Sequence, residues 1–404
     1  MRVSKALVLV APIVLLSGVS QEFLFLGGIN IGIVILLISM GATSLNFLNG
    51  LKVMLSLRKD VFSHFLLLAL PCASVLWSQN NEYLLSELAT YIILWYFLIS
   101  VLGFKGLGIQ GFLGILSLSL VSVCLVSLLL VYVNPQEAFN DGAFTGLFDV
   151  KNALGRAAGY AFLATILWFT SVALNNKVTV ITRIYVSIAV PICVYVMYSS
   201  QSGSVFIASF IALVLILLLK RGIFAKRINM AMPFVLLSAA FSPVILIYLE
   251  SLLEFILDLL GRSNSANIST VDVRAVIWDQ VSPDFEKHPL FGFGVGEYWG
   301  DGVLIYNLKS YWVVRQAHNG FIDLYLSFGG LGLGLFIGFI IAVARKMVAV
   351  KAVKIELIAM LAFLVFFLMI NGYYSALFMQ LSLPWFVTSV CFYYLVIEKR
   401  KVVR

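Results

Sequence analysis

The residues best suited to chemistry in this 404-residue chain lie in its last third. At Ala317-His318-Asn319-Gly320 a histidine stands directly before a long apolar run, and Asn319 is suited to cap the helix that the run predicts. A lone histidine at such a boundary more often caps or hydrogen-bonds than catalyses, yet its near-neutral pKa also suits a general base. Upstream, Ser269-Thr270-Val271-Asp272 reads as a capping box opening a helix on which Arg274 and Trp278, four apart, share a face. That pair is either a stacked surface contact or an anion clamp whose planar fork grips phosphate oxygens, and spacing alone favours the contact. The stretch His288-Pro-Leu-Phe-Gly-Phe-Gly-Val-Gly296 follows no strand and opens no βαβ unit, so it fails as a dinucleotide fingerprint. Tight turns at a water interface account for its glycines, with His288 a loop residue. Glu250, Glu254 and Asp258 recur every four residues among leucines and end at Gly261. They predict an amphipathic helix at a membrane surface, its carboxylates facing water.

The elements that hold these residues are those of a membrane protein. The chain is 62% hydrophobic and 11% charged, whereas ordinary globular domains carry about 25% charged residues. Disordered, collagen-like and disulfide-scaffold classes are excluded. The four cysteines all fall inside apolar runs, as small buried hydrophobes do, and three histidines leave no room for a multi-histidine metal site. Windows of the length that crosses a bilayer predict spans at 6–20, 23–40, 61–78, 83–103, 111–133, 153–174, 178–198, 203–219, 231–249, 319–343, 355–371 and 377–397. The run 41–57 is also apolar, and the first span is read as a span rather than a cleaved secretory leader. The fold class is therefore all-α: a polytopic membrane protein of about twelve transmembrane helices with a large, partly helical outer loop.

Basic residues gather in alternate connections. With the N-terminus cytoplasmic, 20 basic and 3 acidic residues lie inside, against 7 basic and 16 acidic outside. Both termini are thus expected in the cytoplasm, and the net charge of +8 reports membrane orientation rather than a nucleic-acid partner. Residues 1–249 hold nine spans and a small outer loop at 134–152. Residues 250–317 form the large outer segment, and 318–404 hold three more spans and a basic tail. A connection as long as 250–317 usually carries function.

Several of these pieces occur together in one family. The runs Arg274-Ala-Val-Ile-Trp278, His288-Pro-Leu-Phe-Gly-Phe-Gly294 and Ala317-His318-Asn319-Gly320 through Gly329 resemble the O-antigen ligase/polymerase superfamily. Gly146-Leu-Phe-Asp-Val-Lys151-Asn152-Ala-Leu-Gly155 and Ser200-Gln-Ser202 look like motifs of its exopolysaccharide-polymerase branch. The resemblance implies a GT-C-like glycosyltransferase of the bacterial inner membrane, working at the periplasmic face without cofactor or metal. Its substrates would be an undecaprenyl-pyrophosphate-linked oligosaccharide and an acceptor glycan or lipid A-core. Membrane lipids and a chain-length regulator are further implied partners. His318 would then activate the acceptor hydroxyl, and Arg274 would hold the departing pyrophosphate, near Asn319. Lys151 and Arg156 are added as outer-face cations near the membrane. The family often carries an arginine shortly after the serine motif, where this chain has Gly203. Either another cation such as Arg156 or Arg315 serves, or the pyrophosphate is held differently. A polymerase is the first expectation, a ligase the second, and a lipid-linked glycan flippase the competitor from another class. Flippases usually keep ionisable residues deep in the bundle, whereas Glu87, Arg156, Arg183, Asp323 and Glu356 read as lying near span ends.

Overall fold

The computed structural model describes residues 7–19, 25–26, 29–79, 81–140, 142–220, 270–307, 310–348, 354–372 and 382–403. The expected span at 231–249, the amphipathic helix at 250–261 and Ser269 lie outside the described residues. Described helices, in chain order, begin with α1 (Val10–Leu16), α2 (Ile31–Leu57), α3 (Phe62–Ala73), α4 (Asn81–Gly103) and α5 (Gly108–Val133). There follow α6 (Pro135–Ala138), α7 (Lys151–Leu174), α8 (Val180–Ser199), α9 (Gly203–Lys220) and α10 (Thr270–Val281). The last are α11 (Gly320–Val348), α12 (Ile355–Asn371) and α13 (Leu383–Val403). Three small antiparallel hairpins join them: β1 (Phe25–Leu26) with β2 (Ile29–Asn30), β3 (Phe139–Asn140) with β4 (Ala143–Phe144), and β5 (Val303–Asn307) with β6 (Ser310–Val314).

The all-α, polytopic expectation holds. Among the described residues six helices are long and apolar enough to cross a membrane: Gly32–Leu57 within α2, α5, α7, α8, α9 and α11. Phe62–Leu76, Glu87–Gly103 and Ile355–Asn371 are shorter apolar helices. The second expected span is displaced: 23–40 gives way to a short hairpin followed by one helix through Leu57. The apolar run 41–57 contains no proline, so nothing stops that helix at residue 40. Helix α12 is buried on every side from Leu357 to Asn371, as befits a helix that is apolar all round. It packs on α7 through Tyr160, whose ring lies 4.8 Å from Phe366 and 5.6 Å from Phe363.

Charges are neutralised where the α2–α3 turn meets the ends of α11 and α13. Asp60 accepts hydrogen bonds from Lys346 and from Arg400, the latter at 2.8 Å, and Lys354 pairs with Glu398 at 2.6 Å. Burial alone would raise the Asp60 pKa, but its bonds to Lys346 and Arg400 outweigh that and leave it below the usual carboxylate range. His318 precedes the opposite end of α11.

Helix α11 is broken. Gly329 has φ 59° and ψ −155°, a region that is essentially glycine-only, so Gly320–Phe328 and Gly330–Val348 are separate helical pieces. The 288–296 stretch fills the break. Phe293 N and Gly294 N donate to Leu326 O and Ser327 O at 2.8 and 2.9 Å, while Gly330 N and Leu331 N donate to Pro289 O and Leu290 O at 2.8 and 3.0 Å. A Cβ on Gly329 would lie 2.5 Å from Leu290 C. The glycines expected in plain interfacial turns are thus needed because two backbones approach this closely. The same stretch is tied to the end of α3, since Val295 N donates to Ser74 Oγ and Ser78 Oγ donates to Glu297 at 2.9 Å.

The 250–317 segment, expected to be partly helical, also holds a β-hairpin. Val303 pairs with Val314 and Ile305 with Trp312. Ile305 and Val314 point inward and join Ile277, Val281 and Leu326 in a small second core, while Leu304 and Val313 face out. Gly329→Ala is expected to cost about 1–3 kcal/mol, from backbone strain alone. Gly334→Ala, with open space around it, should leave stability unchanged. Thermal melts of the two variants in detergent check the pair, and equal midpoints would contradict the account.

Candidate active site

Four segments meet at one end of the bundle: the start of α7, the turn between α8 and α9, one face of α10, and the approach to α11. Ser202 Oγ donates to Asn152 Oδ1 at 3.2 Å. A Cβ on Gly155 would lie 2.7 Å from Ser202 Cβ and 3.0 Å from Ser200 Oγ. The lysine-asparagine and serine motifs, some fifty residues apart in sequence, therefore form one packed contact. Arg156 follows on α7 with a buried Nη1.

His318 has φ +52°, one of three left-handed non-glycine residues among those described, with Gln201 of the serine turn and Asn176. Asn319 caps α11 as expected, its Oδ1 accepting from Phe321 N at 3.0 Å and Ile322 N at 3.4 Å. The Ala317 peptide is held from two sides. Its N–H donates to Asp323 Oδ1 at 2.9 Å, and its carbonyl accepts from Trp278 Nε1 at 2.8 Å. The Arg274/Trp278 pair thus divides in role: the indole bonds to the backbone beside His318, and the guanidinium, one turn away, acts on the imidazole.

Burial first, then the charges of Arg274 and Arg156, push the His318 pKa down to about 4. The ring is therefore neutral at pH 7, with a lone pair available and two guanidinium groups close by. Helices α7, α9 and α11 all begin at this end, adding the positive poles of three helix dipoles. The arrangement can accept a proton at His318 and hold a polyanion at Arg156 and Arg274. Lys151 and Arg315 are exposed, and His318 responds to the other two cations.

Two contributors went unnoticed in the sequence. Asp323 appeared only as a charge near a span end, although it sits one turn after Asn319. Asn371 closes the apolar run Leu357–Ile370 of α12, and its amide rests against Gly320, leaving no room for a Cβ there. A polar residue ending an all-apolar run was the available signal.

The chain is a polytopic, all-α membrane protein in which a histidine and two arginines lie near one another at one end of the bundle, an arrangement suited to binding an anion. Residues 188–337 match the Wzy_C family model, described as O-antigen ligase, which supports the resemblance to the O-antigen ligase/polymerase superfamily. The matched stretch contains Ser200–Ser202, Arg274 and His318, while Lys151 and Arg156 lie before it. No curated protein matches the chain. The match supports a glycosyltransferase-type enzyme handling lipid-linked glycans and does not divide ligases from polymerases.

Gly155→Val is expected to force α7 away from the serine turn, because its branched side chain would overlap Ser200 and Ser202. A melting point lowered as expected for roughly 1–3 kcal/mol of overpacking is the outcome to look for. Unchanged stability would mean that the two motifs are not in contact.

Proposed function

We propose that this protein is a polysaccharide polymerase. It joins undecaprenyl-pyrophosphate-linked repeat units into O-antigen or exopolysaccharide at the periplasmic face of the bacterial inner membrane, with both termini cytoplasmic. The observation that carries the reading is His318 held neutral beside Arg156 and Arg274. The hydroxyl of an incoming lipid-linked repeat gives its proton to His318, and its oxygen attacks the anomeric carbon of the growing chain. The bond from that carbon to the pyrophosphate oxygen breaks, and undecaprenyl pyrophosphate leaves with the electron pair, its charge met by Arg274 and Arg156. Arg156 takes the place of the family arginine where this chain has Gly203. Asn319 serves by capping α11, and Lys151 and Arg315 add positive charge on the approach.

Donor binding also tunes the base. The cations that depress the His318 pKa are those that meet the pyrophosphate. A bound donor offsets their field and raises the basicity of the imidazole as the reaction begins. The polymerase reading is favoured over a ligase by the Asn152–Ser202 contact, which unites two motifs of the polymerase branch. The ligase reading is transfer of the finished glycan to lipid A-core by the same donor chemistry.

His318→Ala should leave abundant protein and lower transfer by roughly 10²–10⁴-fold. Retained chain formation in a complementation assay would remove His318 as the base. Because only the neutral ring accepts a proton, kcat/KM should fall on the acid side near pH 4, and kcat should fall at a higher pH, where donor is bound. Arg274→Gln should move the kcat/KM limb upward toward the ordinary histidine value; an unmoved limb contradicts the assignment. Glycan profiles of a deletion strain separate the readings. Single repeats without long chains indicate a polymerase, and long chains stranded on the carrier above bare lipid A-core indicate a ligase. Repeats trapped on the cytoplasmic leaflet would replace both with a flippase.

A further inference from the structure

We propose that Asp323 and Trp278 are positioning residues for the transfer, clamping the Ala317 peptide so that His318 keeps its left-handed conformation beside Arg156 and Arg274. The proposal rests on the reading of His318 as the base. Ala317 is fully buried in an irregular stretch between β6 and α11, where neither helix nor strand supplies partners for its backbone. Both backbone groups are satisfied by side chains, the N–H by Asp323 Oδ1 and the carbonyl by Trp278 Nε1. A non-glycine residue stays at φ +52° only where its surroundings over-determine it, and here the two bonds act on the residue immediately before it. Asn319 fixes the residue immediately after, through the cap of α11.

The clamp also links the two halves of the site. Trp278 and Arg274 lie one turn apart on α10, so the indole bond that holds Ala317 sets the spacing between Arg274 and His318. Asp323 is on α11, one turn past Asn319, so its carboxylate carries the position of that helix to the same peptide. The carboxylate meets a backbone N–H rather than the imidazole. Its contribution is therefore that of an acceptor in a fixed place, not of a charge relayed through the ring. Tyr298 lies close enough to feel the charge of Asp323, and its hydroxyl donates to Asp284 at 2.7 Å, so an aromatic wall of the small outer core backs the clamp.

The test uses purified full-length protein with a lipid-linked donor. Trp278→Phe removes the indole N–H and part of the ring while keeping an aromatic side chain, Asp323→Ala removes the acceptor, and Asp323→Asn keeps an acceptor without the charge. Trp278→Phe and Asp323→Ala should each lower kcat by about 30-fold or more, with the donor KM changed less than about threefold, the signature of a base out of place with the donor still gripped. Asp323→Asn should lie within roughly tenfold of the parent, because the Ala317 N–H keeps a partner. Comparable melting points for Trp278→Phe and the parent would place its loss in the site rather than in folding. Wild-type kcat in both Trp278→Phe and Asp323→Ala overturns the clamp. So does an Asp323→Asn variant as inactive as Asp323→Ala, which would make the charge itself the agent. An active His318→Ala protein sinks the base reading instead, and the two failures are told apart in one set of assays.

Discussion

A helix in a low-dielectric environment cannot be interrupted unless something replaces its hydrogen bonds, because each unsatisfied backbone group costs several kcal/mol there. In this protein the replacement is made by the 288–296 stretch, which donates two N–H groups to one piece of α11 and accepts two from the other. The chain that bridges the break also fastens to the end of α3, and beyond it runs the hairpin that completes the small outer core. The placement of the outer segment relative to the bundle follows from this exchange. So does the orientation of Gly320–Phe328, whose first turn carries the residues around His318.

The site obeys a second constraint, the handling of charge near the bilayer. Two neighbouring guanidinium groups repel each other, and a charged imidazole beside them would add to the cost. Keeping the ring neutral removes that term. The positive ends of α7, α9 and α11 strengthen the preference for an anion without adding side chains. Charge at the far end is treated in the opposite way, with Asp60 and Glu398 closing ion pairs to Lys346, Arg400 and Lys354. One end of the bundle is neutralised within the chain; the other gathers positive charge.

Much of this could be read from residue order. Span-length apolar runs marked most of the helices, because hydrophobic length is a strong constraint in lipid. The cap at Asn319 followed from residue type. His318 and Arg274 stood out once their motifs were seen together, and Arg156 was singled out as an outer cation. Less legible were features decided by contacts distant in sequence. The glycines from Gly292 to Gly296 looked like turn residues because nothing local shows that a broken helix lies against them. The hairpin at 303–314 was missed although two runs rich in valine and aromatic residues flank a two-residue connection, a local hairpin signal overridden by the all-helical composition. Asp323 looked like any acid near a helix start, since only the fold brings the Ala317 N–H to its oxygen. The second span was misplaced because hydropathy alone does not distinguish a short hairpin from the first turns of a helix.

The break in α11 has a bearing on how such a chain tolerates insertions and deletions. In a continuous helix, one added residue turns everything beyond it by about 100° and carries it 1.5 Å along the axis. Here the two pieces communicate through backbone hydrogen bonds to an intervening loop, and Gly329 absorbs the change of direction. A register change in the membrane-crossing piece is therefore not transmitted as rotation to the turn bearing Asn319 and Asp323. The long apolar piece and the first turns of one helix can vary in length and tilt semi-independently, with the 288–296 stretch acting as the joint between them.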